Sequence, residues 1–170
     1  FKATAGIYDA GTGRVRRPPL DRILFLPERP YFPPGTLRQA LSPIEPESEI
    51  SDERIIETLK TLGIANVVAR AGGLDVEHDW DNLLSLHEQR FISFARILLA
   101  SPRFAVLYYP IKDLDSETAF KVLKILADNG ITCLTMGRLG KREGDDRIES
   151  YDAVLELKSD GEWTWMDTRS

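Results

Sequence analysis

The longest orderly alternation of apolar and polar positions runs from Leu83 to Pro110. It predicts a cap, an amphipathic helix, a break and a buried strand in succession. Ser85 followed three residues later by Glu88 is a capping box, in which hydroxyl and carboxylate each satisfy a free backbone N–H. From Gln89 onward, Phe91, Phe94, Ala95, Leu98 and Leu99 recur at helical spacing. Ser101-Pro102 stops the helix, because the residue before a proline avoids the α region. Phe104 to Tyr109 is then an unbroken apolar and aromatic run, the pattern of a strand covered on both faces.

The same reading extends along the rest of the chain. Phe1 to Ile7 has the character of a helix end that Tyr8-Asp9 leaves. Gly11-Thr12-Gly13 reads as a turn between two short strands. A glycine-rich phosphate loop needs a strand before it and a helix after it, whereas Arg14 to Arg17 and two prolines follow here. Arg22 to Leu26 is a short strand ended by Pro27, and a helix starts near Leu37. Ser42 to Ser51 is a proline-rich acidic loop. Asp52 to Leu62 is an amphipathic helix capped by Ser51, with Ile55, Ile56, Leu59 and Leu62 as its stripe and Gly63 as its stop. A short helical piece follows from Ala65 and breaks at Ala71-Gly72-Gly73. A helix from Ser116 to Asp128 ends at Asn129-Gly130 in the left-handed manner glycine permits. Ile131 to Thr135 is a strand, and with the strand from Phe104 it implies a parallel, right-handed crossover. Ala153 to Leu157 and Glu162 to Trp165 read as an edge hairpin joined at Asp160-Gly161.

Composition narrows the classes. A chain of 170 residues, 42% hydrophobic, is long enough for one domain with a substantial core. No apolar run approaches the ~20 residues of a membrane helix. The net charge of −5, with both signs interspersed, gives no electrostatic footprint for nucleic acid. The single cysteine, Cys133, lies in an apolar run and reads as a small buried hydrophobe. Leu74 to Asn82 gathers Asp75, Glu77, His78, Asp79 and Asp81, but at no zinc or calcium-loop spacing and without a central glycine.

The succession of these pieces resembles the signature-to-Walker B region of ATP-binding cassette (ABC) transporter ATPases. Where that family has a pattern near LSxGEQQRLAFARLLLxxPxxxxLDEATSALD, this chain has LSLHEQRFISFARILLASPRFAVLYYPIKDLD, with no gap. LFLPERPYF, the DW ahead of the signature and the terminal DGEW are similar to the subfamily D group and its bacterial relatives, which carry fatty-acyl or peptide cargo. The resemblance implies an α/β fold: a P-loop NTPase-like ABC ATPase core with a mainly parallel sheet, plus a helical signature subdomain and an edge β-hairpin. The helical part would be 37–103 and the α/β core 1–36 with 104–170, within one domain over 1–170. It also implies that the phosphate-loop lysine and serine fall ahead of Phe1.

In such ATPases two domains pair, and each nucleotide lies between the phosphate loop of one and the signature of the other. Phosphoryl transfer asks the protein chiefly for positioning and charge stabilisation. The resemblance assigns Ser85, His87 and Glu88 to nucleotide binding in trans, and Leu114 with Asp115 to the loop touching the partner domain. Tyr108 and Tyr109 occupy the positions of the magnesium-holding Asp and the water-polarising Glu. A phenol, with an ordinary pKa near ~10, neither balances a divalent ion nor serves as a base, and losing a general base costs ~10² to 10⁴ in rate. Arg138 stands where the family has a histidine. His87 replaces a glycine, so that it either crowds the phosphate or, protonated, pairs with it. Glu28 replaces a loop glutamine and reads equally as a magnesium ligand or as a solvated acid.

The implied function is the nucleotide-binding domain of an ABC transporter, impaired in hydrolysis. It would take ATP and magnesium by resemblance, with binding by this chain alone in doubt. Its partners would be a second ATPase domain, in a homo- or heterodimer, and a transmembrane domain, at the cytoplasmic face of a membrane. The alternatives are a pseudo-ATPase interaction module with no nucleotide role and an active ATPase with a substitute base.

Overall fold

A computed structural model describes residues 2–8, 10–42, 50–108, 114–137 and 151–168, with the side chain of Ser116 excepted. Three parallel strands form its central sheet in the order β1-β4-β5: β1 (Ile23–Leu26), β4 (Phe104–Tyr108) and β5 (Thr132–Met136). Phe25 stands beside Val106 and Val106 beside Leu134, which fixes the register. A three-residue 3-10 turn, Leu20–Arg22, leads into β1. The strand expected from Ile131 begins one residue later, because the Ile131 amide is spent on Leu126 in closing the preceding helix.

Between β1 and β4 the chain is mostly helical. Strand β2 (Gly35–Thr36) runs into α1 (Leu37–Leu41), which Thr36 and Gln39 close with a reciprocal capping box. Helix α2 (Asp52–Thr61) is capped by Ser51 and buries Ile55 and Leu59 at the expected stripe. Then come α3 (Asn66–Arg70), β3 (Glu77–His78), α4 (Trp80–Leu83) and α5 (Leu86–Ala100). The two-residue strands β2 and β3 pair antiparallel. Arg38 binds them to the neighbouring helix: it makes a two-pronged contact with Asp75 at 2.7 and 3.0 Å, and reaches Asp52 in the first turn of α2 at 2.8 Å. Those two carboxylates hold the Arg38 guanidinium more firmly protonated than usual, the Asp75 hydrogen bonds contributing most.

Helix α5 is buried along most of its length. Ile92, Phe94, Ala95 and Ile97 have no exposed surface, so it is the axis against which α1 and α2 pack. One core cluster joins these helices to Leu26, Ala105 and Leu107 of the sheet and to α6 (Ser116–Asp128). At 25 cal/mol per Å², burying each large side chain in such a cluster contributes about 1.5–3 kcal/mol. Helix α5 ends as expected at Ser101-Pro102, but by a left-handed Ser101, φ 46°, rather than by an extended residue. Helix α6 ends at Asn129, with Gly130 in the left-handed region at φ 76°.

Three expectations need correction. No strands flank Gly11-Thr12-Gly13 among the described residues; that segment bends into irregular chain as far as Pro19, since two prolines leave it without ladder donors. The C-terminal hairpin, β6 (Ala153–Leu157) with β7 (Trp163–Asp167), is not an edge of the central sheet but a separate two-stranded sheet. Its second strand starts after Glu162 and runs past Trp165, because the Lys158–Glu162 bond closes the turn and the Ala153–Asp167 pair extends the ladder. Cys133 is half-buried rather than fully buried, and burial pushes its thiol up to about 11. Of the Ser42 to Ser51 loop, residues 43–49 lie outside the described residues.

Candidate functional site

The sequence-predicted residues fall into two groups. The first lies at the C-terminal ends of β1 and β4. Here Glu28 and Tyr108, eighty residues apart in sequence, line one cavity of about 500 Å³ together with Lys2, Pro27 and Arg29. The parallel β1–β4 pairing brings them together, because both strands end at the same edge of the sheet. Open α/β sheets bind ligands outside that edge. Tyr109 and Arg138 lie outside the described residues.

Magnesium prefers octahedral oxygen ligands, one or two carboxylates with substrate phosphates. Among the described residues this cavity offers one carboxylate, Glu28, and a phenol, Tyr108, beside the cations Lys2 and Arg29. The set suits a phosphate better than a hydrolytic magnesium centre.

The second group sits at the N-terminus of α5. Ser85 is its cap: the hydroxyl accepts from the Glu88 amide at 3.2 Å, and the Ser85 amide donates to Glu88 Oε2 at 3.0 Å. The Ser85 hydroxyl also reaches Glu88 Oε2 at 3.0 Å. Arg70, at the end of α3, grips the same carboxylate with two nitrogens, at 2.6 and 3.2 Å, and donates to the Leu83 carbonyl at 2.6 Å. The Arg70 guanidinium, with the Ser85 amide and hydroxyl, holds the Glu88 carboxyl below the usual carboxylate range. Ser85, Leu86 and His87 are exposed, Leu86 by 79%. His87 lies back on its own helix, its ring stacked on Phe91 with centroids 4.5 Å apart. It thereby lines a groove of about 220 Å³ with Thr61 to Ile64 and with Thr118 and Lys121 of α6. Neither crowding of a phosphate nor pairing with it requires that rotamer; the ring turns away from the capped end.

The Leu114–Asp115 turn splits in role. Leu114 is buried in the core, while Asp115 is exposed and caps α6, accepting from the Thr118 amide at 2.9 Å. That amide holds the Asp115 carboxyl below its usual range. Of the carboxylates of 74–82, Asp75, Asp79 and Asp81 make hydrogen bonds within the fold, while Glu77 is exposed on β3. Asp75 holds Arg38, Asp79 caps α4, and His78 Nε2 lies 2.9 Å from the Ala71 carbonyl. Sequence reasoning missed Arg70, Lys2, Thr118 and Lys121. Arg70 and Glu88 stand eighteen positions apart in sequence, with no local signal of their pairing.

No family model matches the chain. It is similar, at 35% identity over 96% of its length, to an uncharacterized ABC transporter ATP-binding protein of Synechocystis sp., of which it covers 24%. It is 36% identical, over 83% of its length, to the lysosomal cobalamin transporter ABCD4 of Mus musculus, again covering 24% of that protein. The chain thus spans about a quarter of the length of these curated relatives. Among solved structures, a bacterial Atm1-family ABC exporter with ATP bound superposes with a TM-score of 0.62, at 20% identity, over 79% of this chain and 23% of that one.

Proposed function

This chain is homologous to the ATP-binding proteins of ABC transporters, an ABCD member among them, and from that premise we propose that it is a nucleotide-binding domain impaired in hydrolysis at its own site. It pairs with a second ATPase domain and a transmembrane domain, at the cytoplasmic face of a membrane. Residues 37–103 act as its helical signature subdomain and the remainder as a P-loop NTPase-like core. The cargo, read from sequence as fatty-acyl or peptide, is set by the transmembrane partner; one relative is named for a different cargo, cobalamin.

The observation that carries this reading is the arrangement at α5. The first turn of a helix has unpaired amides and a positive dipole end, which favour an anion. A carboxylate at that end would repel a phosphate. Arg70 offsets the charge of Glu88 and directs it back onto the cap. Ser85 and the Leu86 and His87 amides then face outward for the nucleotide of a partner domain, with the His87 ring withdrawn onto Phe91. At the chain's own site the cations Lys2 and Arg29 can meet nucleotide oxygens, Glu28 could reach them only through a magnesium ion, and Tyr108 supplies neither charge nor base.

The test mixes this chain with the ATP-binding domain of the Synechocystis relative and follows pairing by sedimentation with and without ATP. ATP-dependent pairing is expected. Ser85→Asp should abolish it, since aspartate keeps the helix cap and sets a second carboxylate against the phosphate. Pairing that ignores both ATP and Ser85→Asp would favour the second reading, an interaction module with no nucleotide role, which Tyr108 in the cavity supports.

A further inference from the structure

Helices α2, α5 and α6 meet along a groove whose lining shares no residue with the cavity at the ends of β1 and β4. Lys121, Val122 and Ile125 of α6 stand at helical spacing on one face, and His87 and Phe91 line the groove from α5, one turn apart. The third wall is the end of α2. Gly63, left-handed at φ 75°, lets its own amide reach the Lys60 carbonyl and the Ile64 amide reach the Leu59 carbonyl, each at 2.9 Å. That closure turns Leu62 and Ile64 inward. With Phe91 and Val122 they make a buried apolar floor, while His87 and Lys121 are exposed at the rim. The lining contains no carboxylate, and Lys121 has no ion-pair partner among the described residues. Asp115, the acid of the turn before α6, is spent on the helix cap. The His87 ring uses one face on Phe91 and makes no other ring contact among the described residues, so its outer face is a platform for a further plane.

We propose that this groove binds a small aromatic carboxylate, its ring on the apolar floor beside the His87–Phe91 stack and its anion on the Lys121 ammonium. Each feature of the groove selects part of that class. The floor takes hydrocarbon, the stacked rings favour a plane, and a cation with no acid among the lining residues favours an anion. Size sets the rest. At about 220 Å³ the groove falls below the ~300–1,000 Å³ of pockets for drug-sized ligands, so it admits one ring with a short arm. The site is independent of the nucleotide reading, because it uses the His87 ring rather than the outward amides of α5.

The probe is phenylacetate, with phenylacetamide as its neutral counterpart and acetate as the anion without a ring. The chain has two histidines, His78 and His87, so their imidazole proton resonances locate the ligand. Phenylacetate is expected to shift the His87 resonances with a Kd of about 1 mM. Those of His78, whose Nε2 lies at the Ala71 carbonyl, should stay in place. Phenylacetamide should bind about two- to fivefold more weakly, the scale of an exposed ion pair, and acetate should shift nothing. Lys121→Met, at an exposed helical position, should leave the chain folded by circular dichroism and remove the preference for the anion. Should that variant fail to fold, His87→Ala carries the test through thermal midpoints. Phenylacetate at ten times its Kd should raise the midpoint of the unsubstituted chain by about 3 °C, and His87→Ala should erase most of that rise. Equal binding of acid and amide, shifts at His78 in place of His87, or no shift by about 10 mM would overturn the proposal. So would a dimer of the chain that Lys121→Met dissociates, because a second copy would then occupy the groove.

Discussion

Glu88 illustrates how one side chain serves stability and a candidate function together. It completes the cap of α5 and is held by Arg70, so its ionised form is stabilised in the folded state. A carboxyl whose folded value lies below its unfolded value near ~4.3 contributes stability that is fully present above the unfolded value. That contribution is lost as the pH falls through the folded one. Urea midpoints should therefore drop as the pH goes from 5 to 3, and Arg70→Leu should flatten that part of the profile. Asp75 and Asp115 are displaced in the same direction, so a residual slope in the Arg70 variant is expected and its absence is not. Removing the cap hydroxyl with Ser85→Ala should cost about 1 kcal/mol, read as a lower denaturant midpoint at unchanged slope. That Ser85 and Glu88 pair was legible in the sequence, because a capping box is a local signal. Arg70 was not, because only folding brings the end of α3 to the start of α5.

At the scale of the element, the boundaries that sequence carried best are those with a chemical stop. Helices α2 and α6 are capped by Ser51 and Asp115 and end beside glycines; α2 was readable from its cap and apolar stripe, and α6 from its Asn129-Gly130 stop. Strands β2 and β3 were not, since two residues have no period and their pairing depends on Arg38 drawing Asp75 and Asp52 together. The short α4 also escaped, because its anchor is Trp80, a fully buried side chain in an otherwise polar run. Ser101 shows a subtler limit. The proline after it forbids the right-handed region, yet nothing local says that the chain escapes to the left-handed one. An L-residue pays about 1–2 kcal/mol in that conformation, so Ser101→Gly should stabilise the protein by about 1 kcal/mol in equilibrium unfolding. A neutral or destabilising result would show that the serine side chain contributes contacts of its own.

At the scale of the whole molecule, the parallel register of β1 and β4 decides what the candidate site contains, because it brings Glu28 to Tyr108. Sequence could align those positions with a family pattern; it could not show that Lys2 and Arg29 share their cavity. A site with one described carboxylate and a phenol should not turn over ATP with magnesium. We expect steady-state hydrolysis by the purified chain at background, and a magnesium-dependent turnover abolished by Glu28→Ala would contradict it. The hairpin of β6 and β7 adds a surface that sequence alone placed wrongly. Its Leu155, Leu157, Trp163 and Trp165 lie on one face, each at least half exposed.

The half-buried thiol on β5 makes the molecule its own reporter. With the Cys133 value pushed up to about 11, only roughly one molecule in a thousand carries the reactive thiolate at pH 8, so an aromatic disulfide reagent should label the native chain far more slowly than the urea-unfolded one. The labelling rate then measures how often the central sheet parts. A strand-loosening change such as Leu107→Ala, which removes about 2–5 kcal/mol of packing, should quicken it long before secondary structure is lost.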